Sequence, residues 1–194
     1  MARFLLLLIG LLSFGLSYGQ LRPAQPITLT FFQAAQGLNS GQVFQAPINP
    51  GVSLGTAWML KAYDRSDIEV NVQLGYSYQQ TMQQLSFLSS DLVYRYGLLA
   101  GFHATVLAGG GYMHRFYHPN VVGRGGATEL PSVIHQSHLM TDAGFGLGYT
   151  FSNYPLELLL RYQWVWQHEL SAGASWEKQQ FLHFGLSFYP FQHK

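Results

Sequence analysis

The 194-residue chain contains no cysteine, so no disulfide framework, thiolate metal site or thiol nucleophile can be built from it. Charge is scarce as well. Asp, Glu, Lys and Arg make up 10% of the residues, against the roughly 25% usual in soluble domains. What charge there is nearly cancels, to a formal +1, and no basic block or patch points to nucleic acid. Past the first twenty residues, no apolar run reaches the ~20 residues of a spanning helix without a charged or polar break. Aromatic residues, by contrast, reach 15%. A chain so poor in charge and rich in rings is ill suited to water on all sides. No composition break, linker or tandem repeat divides it, so one domain is expected.

The opening "MARFLLLLIGLLSFGLSYGQ" has a basic start at Arg3, an apolar run from Phe4 to about Leu16, and small residues at Ser17 and Gly19. This is the pattern of a secretory signal, so residues 1–19 are expected to be a signal peptide cleaved after Gly19, and residues 20–194 the mature domain. Loss of Arg3 takes the formal charge from +1 to zero.

After Gln20 the hydrophobic period is two, the period of strands. Eight segments carry it, at 26–34, 51–63, 67–79, 85–96, 102–116, 137–151, 156–168 and 179–190. The connections "DRSD" (64–67), "GLLAG" (97–101) and "SNYP" (152–155) are short. They alternate with longer or less regular ones near 35–50, 80–84, 117–136 and 169–178. Short turns at one rim and loops at the other predict an up-and-down meander. Eight antiparallel strands joined this way can close and leave no free edge.

The stretch "LELLLRYQWVWQHEL" (156–170) shows which face is which. Its even row is Leu156, Leu158, Leu160, Tyr162, Trp164 and Trp166, and its odd row includes Glu157, Arg161, Gln163 and Gln167. Similar bulky rows from seven more strands would overfill the interior of an eight-stranded barrel. The polar rows hold many glycines and amides and few of the lysines and glutamates of a wet surface. Turned inside out, both facts fit. The bulky rows face lipid, and Tyr76, Tyr78, Tyr94, Tyr96, Tyr149, Tyr162, Trp164 and Trp166 supply aromatic girdles. The expected fold is all-β, an eight-stranded antiparallel up-and-down transmembrane β-barrel. Its inward charges must pair, because a lone charge in a narrow lumen is costly. Lys61, Arg95, Arg115 and Arg161 stand against Glu69, Asp91, Asp142 and Glu157 for that purpose.

The signal "FLLLLIGLLSFGLSYG", the Gly/aromatic strands "VLAGGGYMHRF" and "AGFGLGYTF" and the aromatic last strand "FLHFGLSFYPF" resemble a known family. The chain is similar to the small eight-stranded outer-membrane barrels of the OmpA/OmpX type, and especially to the outer-membrane β-barrel proteins common in Bacteroidetes. The resemblance covers nearly all of 26–191 and is one of pattern. It implies residence in the outer membrane of a Gram-negative bacterium, contact with outer-membrane lipid, a monomer, and assembly by the barrel assembly machinery through the C-terminal strand. It also places the short turns and both termini in the periplasm and the longer loops outside. Such barrels usually end on an aromatic residue; here Phe191 is followed by Gln192, His193 and Lys194.

Histidines near the 117–136 connection invite a catalytic reading: His114, His118, His135 and His138, with Ser132, Ser137 and Glu129 close by. A lipid A deacylase-like enzyme would need His135 to activate Ser137, with a carboxylate orienting the imidazole. No carboxylate follows at a natural spacing, so rim polarity is the plainer account. His135 and His138 are three apart, which on a strand sets them on opposite faces and gives no shared metal. The glycines of "AGGGY" (108–112) have no following helix to make a phosphate cradle, and fit a tight barrel wall instead. No cofactor is expected. The sequence favours a structural or loop-binding barrel plugged by paired charges over a rim enzyme or a narrow channel.

Overall fold

The structure, a computed structural model, describes residues 25–36, 49–79, 83–117, 134–169 and 176–190. Eight strands follow in order: β1 (Ile27–Gln36), β2 (Pro50–Ala62), β3 (Ser66–Gln79), β4 (Gln83–Gly97), β5 (Phe102–Tyr117), β6 (Ile134–Thr150), β7 (Leu156–Glu169) and β8 (Trp176–Phe188). Each pairs antiparallel with its chain neighbours, and β1 pairs with β8 to close the barrel. The expected signal segment, His118, Glu129, Ser132 and residues 191–194 lie outside the described residues.

The expected boundaries differ from the observed ones mainly at the long-loop rim. β6 begins at Ile134 and β8 at Trp176, each three residues earlier than alternation suggests. There the outer row turns polar, with His135, Ser137 and Lys178, so the hydrophobic signal fades before the hydrogen-bonded ladder does. β8 stops at Phe188, short of 190; Pro190 has no N–H to offer a neighbour.

The stagger of the ladder sets the bore. A line drawn perpendicular to the strands from Gln36 passes Gln179, Val165, Asp142, Gly109, Asp91, Asn71 and Ala57. Ala57 follows Thr56, the partner of Ile27, so the line returns to β1 at Pro26, and 36 − 26 gives a shear of 10. For eight strands this implies a tilt of about 40° and an interior that side chains can fill.

The period-two rows separate by environment. Leu29, Leu54, Leu74, Leu92, Val106, Phe145 and Phe184 point outward and are exposed. Asn71, Gln73, Asp91, Asp142, Gln163 and Gln179 point inward and are buried. Among the described strand residues, outward-facing Lys, Arg, Asp or Glu occur only at Lys61 and Lys178, near opposite ends of the barrel. Tyr94, Tyr96 and Tyr149 ring the short-turn rim, and Tyr76, Tyr78, Trp164 and Trp166 lie toward the other. This is the inverse of a water-soluble barrel: apolar wall, polar core.

Glycine makes the inward packing possible. A Cβ on Gly75 would overlap the Phe87 ring, and one on Gly148 would overlap His103. Bulky inward groups therefore sit against strands that present no side chain.

Candidate functional site

The lumen is filled in layers. Nearest the short-turn rim is a charge cluster centred on Arg95 of β4. Its Nη2 donates to both oxygens of Glu69 at 3.1 Å, its Nη1 to Glu157 Oε2 at 3.4 Å, and its Nε stands 3.8 Å from Asp67. Glu157 also meets His103 Nε2 at 3.2 Å and accepts from the Tyr189 hydroxyl at 2.6 Å. Five parts of the barrel, on β3, β4, β5, β7 and just beyond β8, are thus tied through one guanidinium and one carboxylate. Burial, and then the negative charge of Glu157, hold the Tyr189 hydroxyl well above its ordinary titration range, so it stays a donor. A cavity of about 30 Å³ adjoins the cluster, lined in part by Arg95, Glu69, His103, Glu157, Asn71 and Arg161. It has room for about two waters.

Arg161 of β7 lies one layer up and faces the carboxylates of Asp91, Glu69, Asp142 and Glu157, with no ion pair within 4 Å among the described residues. Asp91 and Asp142 flank Gly109 in the ladder, on strands β4 and β6, so the missing side chain opens the space between them. Above these polar groups comes an apolar layer. Phe32, Phe87 and Phe181 contact one another with ring centroids 5.1–5.9 Å apart, and Met113, Met140, Val165 and Leu85 complete it. The last layer, toward the long loops, pairs buried Arg115 with Glu177 and with the amide oxygen of Gln167.

Of the eight expected lumen charges, Arg95, Glu69 and Glu157 meet directly. Arg115 faces inward but takes Glu177 as its partner. Lys61 is corrected: it is exposed, with its ammonium 4.8 Å over the Tyr63 ring. A bulge between Met59 and Lys61 inserts one residue, so Lys61 falls opposite outward-facing Ile68. Asp67, His103, Glu177 and Tyr189 were absent from the expected set. Asp67 and His103 were accessible in principle, since both occupy inward rows of segments identified as strands.

The rim histidines lie on the other side of the wall. His114 and His135 belong to the outward rows of β5 and β6, whereas His138 is buried inside. The imidazole hydrogen-bonded to Ser137 is that of His114. Ser137 Oγ stands 3.3 Å from His114 Nδ1 and 2.6 Å from the Tyr112 hydroxyl. His114 Nε2 in turn faces His135 Nδ1 at 3.4 Å. Among the described residues, no carboxylate contacts either imidazole.

Closure, eight strands, apolar wall and polar interior together decide the architecture. The chain has the fold of a small outer-membrane barrel. Solved structures agree. Neisserial surface protein A shares 9% identity with a TM-score of 0.57, over 85% of this chain and 96% of that one. Ail, the attachment invasion locus protein of Yersinia pestis, shares 8% at 0.54, over 86% and 99%. A de novo designed transmembrane β-barrel shares 16% at 0.51, over 87% and 97%. No protein-family model and no curated protein sequence matches the chain. A fold shared with a designed barrel and two natural ones does not by itself assign an activity.

Proposed function

We propose that this chain is a monomeric, non-conducting barrel of the bacterial outer membrane, acting structurally or by binding through the connections at its long-loop rim. The observation that carries the reading is the stacked lumen. The layer of Phe32, Phe87, Phe181, Met113 and Met140 lies between the Arg95 and Arg115 layers. An ion crossing would have to pass an apolar constriction as well as two sets of paired charges. The barrel thus presents its surfaces at the rims rather than a path through the middle. Its apolar wall lies in lipid, the assembly machinery inserts it through the C-terminal strand, and the long-loop rim faces outward.

The rim serine does not favour an enzyme. Ser137 has His114 and Tyr112 beside it, but no described carboxylate orients the imidazole.

Two measurements test the proposal. Purified barrel in planar bilayers should give no regular conductance steps, and steps of constant amplitude would sink the closed-lumen reading. An epitope inserted between Gly123 and Gly125 should be labelled by antibody on intact cells. Labelling only after the outer membrane is permeabilised would reverse the orientation.

A further inference from the structure

The side chains that the lumen does not use gather at one place on the outer wall, where β5 and β6 approach the long-loop rim. The ladder sets His114 opposite Ser137 and Phe116 opposite His135, so the two histidines are diagonal neighbours on one face. His114 Nε2 and His135 Nδ1 stand 3.4 Å apart. Two imidazole nitrogens, each about 2.0–2.1 Å from one metal ion at a tetrahedral angle, are separated by about 3.4 Å. From this match we infer that His114 and His135 form a two-histidine site for a borderline transition-metal ion of the copper, nickel or zinc class.

The surroundings fit such a site. A ligating imidazole is normally held by a hydrogen bond from its other ring nitrogen, which fixes the tautomer and turns the lone pair to the metal. Ser137 Oγ, 3.3 Å from His114 Nδ1 and itself held by the Tyr112 hydroxyl at 2.6 Å, supplies that acceptor. With the proton on Nδ1, the lone pair of Nε2 points toward His135. The edge of Phe116 packs against both rings, with centroids at 4.6 and 5.2 Å and planes near perpendicular. Ligands on two hydrogen-bonded strands are already positioned, so little ordering cost attends binding. No carboxylate among the described residues contacts the pair, which leaves the remaining coordination positions to water or to anionic oxygens from outside the barrel. Imidazole pairs suit copper, nickel and zinc, with copper(II) bound most tightly.

The test uses the purified, folded barrel titrated with copper(II), with binding followed by calorimetry and by the nitrogen couplings in the electron paramagnetic resonance spectrum. The wild type is expected to show a site with two equatorial nitrogens. His114→Ala and His135→Ala should each weaken it at least ~tenfold and leave at most one nitrogen, and Ser137→Ala should weaken it about tenfold through loss of the supporting hydrogen bond. His168→Ala, at another outward histidine, should leave the site intact. All four positions face out of the lumen, and heat-modifiable gel mobility checks that each variant is folded. His114→Gln and His135→Gln replace any alanine variant that is not. The inference is overturned if the wild type binds no more tightly than the double variant, or if only one of the two histidines matters. In either case the pair is a hydrogen-bonded rim contact and nothing more.

Discussion

Arg161 and Leu160 are chain neighbours on β7 with opposite surroundings. Leu160 is on the outer wall and about half exposed, while Arg161 points among four carboxylates and lines the lumen cavity. Truncating Leu160 removes methylenes from a surface that lipid can refill. Removing the Arg161 charge takes away the countercharge that these buried carboxylates face, and buried charge left without compensation is costly. Arg161→Leu should therefore lower the denaturant midpoint of the barrel in detergent well below that of Leu160→Ala. The reverse order would mean that the lumen charges are not part of the core. The same logic explains what sequence could and could not show at this scale. Row parity alone places Arg95, Glu69 and Glu157 inside. It fails at Lys61 because a single inserted residue in β2 inverts parity without any hydrophobic mark. It passed over His103 because a neutral-or-charged side chain does not enter a tally of fixed charges, although its row points into the lumen. The Ser137–His114 contact was invisible for another reason: it joins residues 23 apart in sequence and depends on the β5–β6 register.

A strand here is a boundary between two solvents, and each of its two rows can be tested alone. Outward positions at mid-height should reject charge, as the described strands carry none there. Leu92→Arg, in the middle of the β4 outer row, is expected to cost about 2–4 kcal/mol by refolding into vesicles, whereas Leu99→Arg in the β4–β5 turn should be close to neutral. Equal costs at the two sites would mean that the apolar wall does not contact hydrocarbon at Leu92. The strands were legible to within about three residues because alternation is strongest where the outer row is in lipid. The misjudged ends of β6 and β8 lie where that row enters the polar rim, so the ladder continues without the hydrophobic signal that reveals it.

For the whole molecule, the apolar wall and the polar interior make one joint prediction. The folded chain should be extracted only with detergent and migrate faster on a gel unheated than boiled. A folded chain that stays dispersed in buffer without detergent would contradict the membrane reading at its root. The overall architecture was open to inference because steric volume decides it: eight rows of large apolar side chains cannot all fit inside eight strands. The order of the interior layers was not, since it depends on a shear of 10 that only the closed ladder defines.

The seam between β1 and β8 brings Ile27 opposite Phe188, across 188 − 27 = 161 residues of chain. Every other pairing joins strands adjacent in sequence. Seven local hairpin contacts can therefore form early, but the ring is sealed only by its most distant partners. Until then the sheet has two bare edges, and the inward charges on either side of the gap have lost one wall of their enclosure. Any form of the chain in which this seam is open is an edge-bearing sheet with a wet polar trough. Sealing is then the step at which the lumen first becomes dry enough for its ion pairs to count.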